Sequence, residues 1–175
     1  MNTLLDYDTK LKSSVYWPLI KRFSETIIED LKEKISAIVV FGSVARGTTR
    51  KDSDIDILIL LESKEKPVLE KLLKINIDSY NWSENQRLLE EDIYTKIFAI
   101  KETERELRDN PLILLDILDH GVILYDPQDK LENLLSDLDK KLKSLRAKKI
   151  VFSDGKWCWD LKPDWKPGEI VEIKL

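Results

Sequence analysis

The segment VVFGSVARGTTRKDSDIDILILLE, from Val39 to Glu62, constrains the chain more than any other. Two apolar runs bracket a Gly-Ser pair, an Arg-Gly pair and two aspartates one residue apart. The second run, Ile55 to Leu61, is apolar at odd and even positions alike, which predicts a strand buried on both faces. The first, Ala37 to Phe41, predicts a short buried strand broken at Gly42-Ser43, with a short helix over Val44 to Thr49. Asp54 and Asp56 stand two apart and so share one face of their strand. Side by side they repel unless positive charge lies between them. Mg²⁺ (or Mn²⁺) suits that place, because it takes oxygen ligands from carboxylates and substrate phosphates. Gly42 permits close backbone approach. Free amides at a helix N-terminus bind phosphate oxygens, and Ser43 adds a hydroxyl that can cap the helix.

These two halves matter only if they meet. Parallel strands would hold turn and acids about a strand length apart, roughly 17–20 Å. Antiparallel neighbours put both on one sheet edge. The result is an anion cradle facing a metal site, suited to a nucleoside triphosphate with its magnesium, with Arg46 and Lys51 in the connection to neutralise phosphates.

The rest of the chain reads as alternating helix and strand. Leu19, Ile20, Phe23, Ile27 and Leu31 recur at helical spacing over Val15 to Ile35, with Pro18 near the start. Helix is predicted from Pro67 to Leu73 and over most of the polar stretch to Glu91. Ile93 to Ile100 (IYTKIFAI) reads as a third strand. Two helices follow, Glu102 to Arg108 and Leu112 to Asp119, the second ending at His120-Gly121. Val122 to Tyr125 is a short strand. Leucines 131, 134, 135, 138, 142 and 145 mark an amphipathic helix. The tail holds three tryptophans, Trp157, Trp159 and Trp165. It predicts a hairpin about Asp154-Gly155 and a further strand over EIVEIKL, packed as a small antiparallel unit on the long helix. The division expected is 1–126 for the main domain and 127–175 for the long helix and β extension.

Bulk properties narrow the function. The formal net charge is −4, with 35% charged residues, which argues against holding nucleic acid by bulk electrostatics. A single cysteine, Cys158, fits a reducing compartment and reads as an inert strand residue. The N-terminus MNTLLDYDTK lacks a signal-peptide pattern, and no apolar run reaches about 18 residues, so no membrane span is expected. Cytoplasmic residence follows as the expectation. His120 reads as a helix-end residue, and the basic stretch from Lys140 to Lys149 as a solvated face, with RNA contact as the alternative. The tail tryptophans read as packing rather than base-stacking platforms, and the same apolar tail can serve as a homo-oligomer face or a lid.

FGSVARGTTRKDSDIDILI resembles the signature of the DNA polymerase beta nucleotidyltransferase superfamily, and the size resembles its minimal nucleotidyltransferases. NPLILLDILDHGVILYD also looks like the closing helix and strand of these domains. WCWDLKPDWKPGEIVEI resembles an extension seen in some archaeal members. The resemblance implies an α+β nucleotidyltransferase fold: a mixed sheet packed with helices, here with a small antiparallel extension. It implies phosphate binding at Gly42 and Ser43, magnesium at Asp54 and Asp56, and transfer of a nucleoside monophosphate, ATP being the favoured donor, to a hydroxyl acceptor. A third carboxylate is implied on the next strand. IYTKIFAI has none, and Lys96 lies where it is expected, so Asp92 is the first candidate and Glu91 the second. The small size resembles members that act as antitoxins beside a HEPN-type toxin and add AMP to its tyrosine. A nucleotide-binding module without transfer, or transfer to an RNA 3′ end, are the alternatives.

Overall fold

Alternate residues of β1 (Ile35–Phe41) and β2 (Ile55–Leu61) enter two different cores. Ile38, Val40, Ile57 and Ile59 face one; Ala37, Val39, Leu58 and Leu60 face the other. This is why both segments are apolar at every position but Ser36 and Asp56: they are the two central strands of a sheet covered on both faces. Described residues are 9–153, 157–170 and 172–175, in a computed structural model.

The sheet has four strands in the order β3-β2-β1-β4, with β3 at Ile97–Thr103 and β4 at Val122–Tyr125. β1 pairs antiparallel with β2 and β4, while β2 and β3 are parallel, so the sheet is mixed. On one face lie α2 (Trp17–Leu31), α4 (Lys66–Ser79) and α5 (Ser83–Glu90), preceded by the short α1 (Thr9–Lys12). On the other lie α6 (Glu104–Asp109), α7 (Leu112–His120) and α8 (Lys130–Ser144). The five-residue α3 (Gly42–Arg46) joins β1 to the loop before β2. This is the mixed, helix-packed α+β fold expected.

Several boundaries differ from the sequence expectation, each for a local reason. α2 stops at Leu31, and a 3₁₀ turn (Lys32–Lys34) leads into β1, because Ile35 is taken by the sheet opposite Leu61. α3 starts at Gly42 and ends at Gly47, whose left-handed backbone (φ 71°) returns its N–H to the Ser43 and Val44 carbonyls, so Thr48 and Thr49 lie outside it. The polar stretch is two helices rather than one; the side-chain amides of Asn85 and Gln86 donate to the Tyr80 carbonyl at 3.0 and 2.9 Å, in the break between them. The third strand begins at Ile97, not Ile93. Residues 93–96 instead run against the loop before β2, with Tyr94 N–H on the Lys51 carbonyl (2.7 Å) and the Thr95 hydroxyl on the Ser53 carbonyl (2.8 Å).

α8 buries Leu131, Leu134, Leu138 and Leu142. Its first turn is capped by Asp126, which accepts from the Lys130 and Glu132 amides at 2.9 Å each. In the tail, β5 (Lys148–Val151) pairs antiparallel with β6 (Trp157–Asp160). The Asp154-Gly155 turn between them lies outside the described residues. The expected strand over EIVEIKL is corrected: the described residues there form no strand. Ile170 is exposed, while Ile173 and Leu175 pack against the second core and the Leu175 N–H reaches the Arg108 carbonyl. Trp159 packs against the same core, and the exposed Cys158 alternates to the other side. No helix of the described residues is long and apolar enough to cross a membrane.

Thr103 and Glu106 form a reciprocal capping box at the start of α6. Lys64 and then the Thr103 amide hold the Glu106 carboxyl down, from the ordinary 4.5 to about 2. A depressed carboxyl contributes stability that is present above its unfolded pKa and is lost as pH falls toward the folded value. Glu106→Gln is therefore expected to lower the melting temperature at pH 7, with the difference from the parent shrinking as pH drops from about 5 toward 2. Melting curves across that range check this; a constant difference would contradict it.

Candidate active site

The turn and the acids share one edge because β1 and β2 are antiparallel, with Phe41 opposite Asp56 in register. Gly42 follows directly. Its backbone is left-handed (φ 71°), and a Cβ placed there would lie 2.1 Å from Asp56 Oδ2. The Asp56 carboxylate thus rests over the bare Cα of Gly42, where only glycine leaves room. Ser43 is the second residue of α3. The N-cap position falls on Phe41, without a side-chain cap, so the expected capping role of Ser43 does not occur. Its carbonyl accepts the Thr48 N–H at 3.0 Å.

Asp54 is exposed in the loop just before β2, and Asp56 is half-buried on the strand. Burial pushes the Asp56 carboxyl up from its ordinary 3.8; the charges of Asp54 and Asp116 add to this, and Arg46 opposes it. Asp116 is a site residue that spacing arguments missed. It comes from α7, and Arg46 Nη1 donates to both of its carboxylate oxygens at 2.6 and 2.9 Å. A signal for it existed: a single acid interrupts the apolar run LILLDIL. Arg46, predicted to meet phosphate, is thereby tied to α7 as well.

Lys51 lies 3.8 Å from Asp92, both largely exposed. Asp92 occupies a left-handed turn (φ 58°) after α5, and Glu91 is exposed beside it. Neither lies on β3. The β3 residue opposite Asp56 is Phe98, which is 56% exposed, with exposed Lys96 two positions before it. Paired residues of neighbouring strands point to the same face, so an aromatic ring, not an acid, stands beside Asp56. His120 sits at the end of α7 with Nε2 2.9 Å from Asp119 Oδ2. In the basic stretch, Lys140, Lys143 and Lys149 pair with Asp137, Asp139 and Asp119.

Two carboxylates with negative charge outweighing the single arginine fit a divalent cation. Among the described residues no group of three or more His, Cys, Asp or Glu side chains converges. An ion at Asp54 and Asp56 would therefore fill its other positions with phosphate oxygens and water, as Mg²⁺ commonly does. A cleft of about 600 Å³ lined by Lys32, Ser36, Glu62 and Tyr125 lies at the other end of β1 and β2 and is no part of this edge.

Gly42→Ala adds a methyl into the Asp56 carboxylate and forces a non-glycine residue to positive φ. The expected cost is about 1–2 kcal/mol of stability, ~2–8 °C in melting temperature, read from thermal unfolding of parent and variant. A parent-like melting temperature would contradict the geometry.

A Methanocaldococcus jannaschii chain named "Putative protein adenylyltransferase MJ0141" is 44% identical over 57 residues, which are 33% of this chain and 56% of that protein. The chain thus spans little more than half the length of this relative. Two solved structures are similar. A toxin–antitoxin with AMP-PNP shares 17% identity over 72% of this chain and 89% of that one, with a TM-score of 0.47. The toxin–antitoxin MntA–HepT shares 15% identity over 74% and 89%, with a TM-score of 0.43. The nucleotidyltransferase domain model matches residues 20–166, most of the sequence. The chain belongs to the nucleotidyltransferase domain family.

Proposed function

We propose that this protein transfers AMP from Mg-ATP to a hydroxyl on a partner protein. The observation that carries the proposal is the contact between Gly42 and Asp56, which holds the Gly-Ser turn against the acid pair on one sheet edge. Asp54 and Asp56 would hold the magnesium. When bound, that ion neutralises phosphate charge and polarises the α-phosphorus for attack. The turn at Gly42 and Ser43 binds the β- and γ-phosphates and orients the leaving pyrophosphate in line with the acceptor. Lys51 adds positive charge at the rim. Arg46, braced by Asp116, adds charge beside Asp56. Asp92, close enough to pair with Lys51, is the residue assigned to activating the acceptor hydroxyl.

A protein acceptor is favoured over RNA. The name of the Methanocaldococcus relative points that way, and Lys140, Lys143 and Lys149 of the basic stretch pair with neighbouring acids. The partner we infer is a HEPN-type toxin, its acceptor a tyrosine, with this chain as the antitoxin in the cytoplasm. Residues 1–126 would carry the chemistry and 127–175 the extension.

One observation favours a second reading. Phe98 opposite Asp56 leaves the acid pair without a strand-borne third carboxylate, which suits a protein that binds nucleotide and transfers slowly or not at all.

Incubation with α-labelled ATP, Mg²⁺ and the protein encoded next to it separates the two. Label is expected on the partner, with loss on chelation and a fall of about a hundredfold or more in Asp56→Ala. Mg-dependent ATP binding without label on any acceptor would establish the second reading instead.

A further inference from the structure

We propose that the groove between β3 and α7 is the acceptor channel, that its occupant is an extended polypeptide segment, and that Phe98 selects an aromatic hydroxyl over an aliphatic one. The inference rests on the transferase function proposed above and adds to it a place for the acceptor.

A cavity of about 440 Å³ lies beside β3 on the face covered by α6 and α7, lined in part by Ile100, Leu107, Asn110 and Ile113. Two of its walls run on into the acid site. On β3, Ile100 is followed toward the site by Phe98, two positions away on the same face and opposite Asp56. On α7, Ile113 lies one turn before Asp116, whose carboxylate holds Arg46 of the turn helix. α7 heads the same way, since it leads into β4, whose Val122 is opposite Val40 at the site end of β1. Floor and wall therefore both lead from the cavity to the acids.

The chemistry of the groove selects its occupant. Its lining is apolar at Ile100, Leu107 and Ile113 and, among the described residues, includes no lysine or arginine to hold a phosphodiester backbone; Glu102 and Glu106 are shared with Lys64, and the apolar lining suits a peptide with apolar side chains. In an extended peptide, residues two apart point the same way at about 7 Å separation. That matches the step from Phe98 to Ile100. A side chain seated in the cavity thus places the second residue after or before it against Phe98. An exposed phenylalanine offers a phenol ring a stacking surface that a serine cannot use. In the transfer, the phenol oxygen attacks the α-phosphorus and the bond from that phosphorus to the β-bridging oxygen breaks. Pyrophosphate leaves, and the phenolic proton passes to a site carboxylate or to water.

The test uses the full chain, Mg-ATP and three probes: a blocked heptapeptide with one tyrosine and a leucine two positions away, its serine counterpart, and a short RNA with a free 3′ hydroxyl. The Ile100 and Ile113 methyl resonances are expected to shift with the tyrosine peptide. Phe98→Ala is expected to lower kcat/KM for that peptide about tenfold, with the serine peptide and Mg-ATP affinity unchanged; Phe98→Leu controls for packing. Transfer with unmoved methyls, preference for the RNA, or an unchanged tyrosine-to-serine ratio in Phe98→Ala overturns the channel while leaving the transferase intact. Methyl shifts with no transfer by the parent protein uphold the groove and overturn the transferase. Neither shift nor transfer overturns both.

Discussion

The antiparallel pairing of β1 with β2 is the interaction on which the rest depends. It carries the chain out through Phe41, turns it at Gly42 and brings it back so that Asp56 lies against the turn. The two strands fill two cores with alternate side chains, so a slip of one residue would exchange every buried position. The register that packs the cores is thus the register that sets the acids against the turn. Stability and site geometry share one constraint, and the left-handed glycine is where they meet.

Charge at that edge is unbalanced by design of the surroundings rather than by the pair alone. Burial and two neighbouring aspartates raise the cost of ionising Asp56, and Arg46 offsets only part of it. Arg46 is itself held by Asp116, so α7 fixes a cation beside the acids. A bound cation with a polyphosphate would meet a site whose protein charges are already in place, which limits reorganisation on binding. The face of β3 next to this centre carries Phe98 and Ile100, so the edge is asymmetric, with acids on one strand and a ring on its neighbour.

Much of this was legible in the sequence, for identifiable reasons. The continuous apolar runs of β1 and β2 revealed central strands, and the leucine spacing gave α8 nearly to the residue. The demand that the Gly-Ser turn and the two aspartates share one edge already required antiparallel strands. Legibility failed where tertiary contacts overrode local pattern. IYTKIFAI is β-like throughout, yet its Tyr94 and Thr95 bond to the loop at 51–53 and its Ile93 N–H turns back to the Leu88 carbonyl, so β3 starts only at Ile97 and runs on to Thr103. EIVEIKL alternates as a strand should, but its described residues form no strand, and Ile173 and Leu175 join a core instead. The Arg46–Asp116 pair spans 70 residues of sequence, beyond any periodicity.

The central claim, that the Gly-Ser turn and the acid pair form one triphosphate–metal site, is tested most directly by paramagnetic relaxation. With amides assigned, ATP is added first and Mn²⁺ titrated in substoichiometric amounts. The account predicts that Gly42, Ser43, Asp54, Ile55 and Asp56 broaden together, and far more strongly with ATP than without it. Broadening centred on Ser36, Glu62 and Lys130 at the opposite end of the sheet, or an Mn²⁺ response at the acids indifferent to ATP, would contradict it.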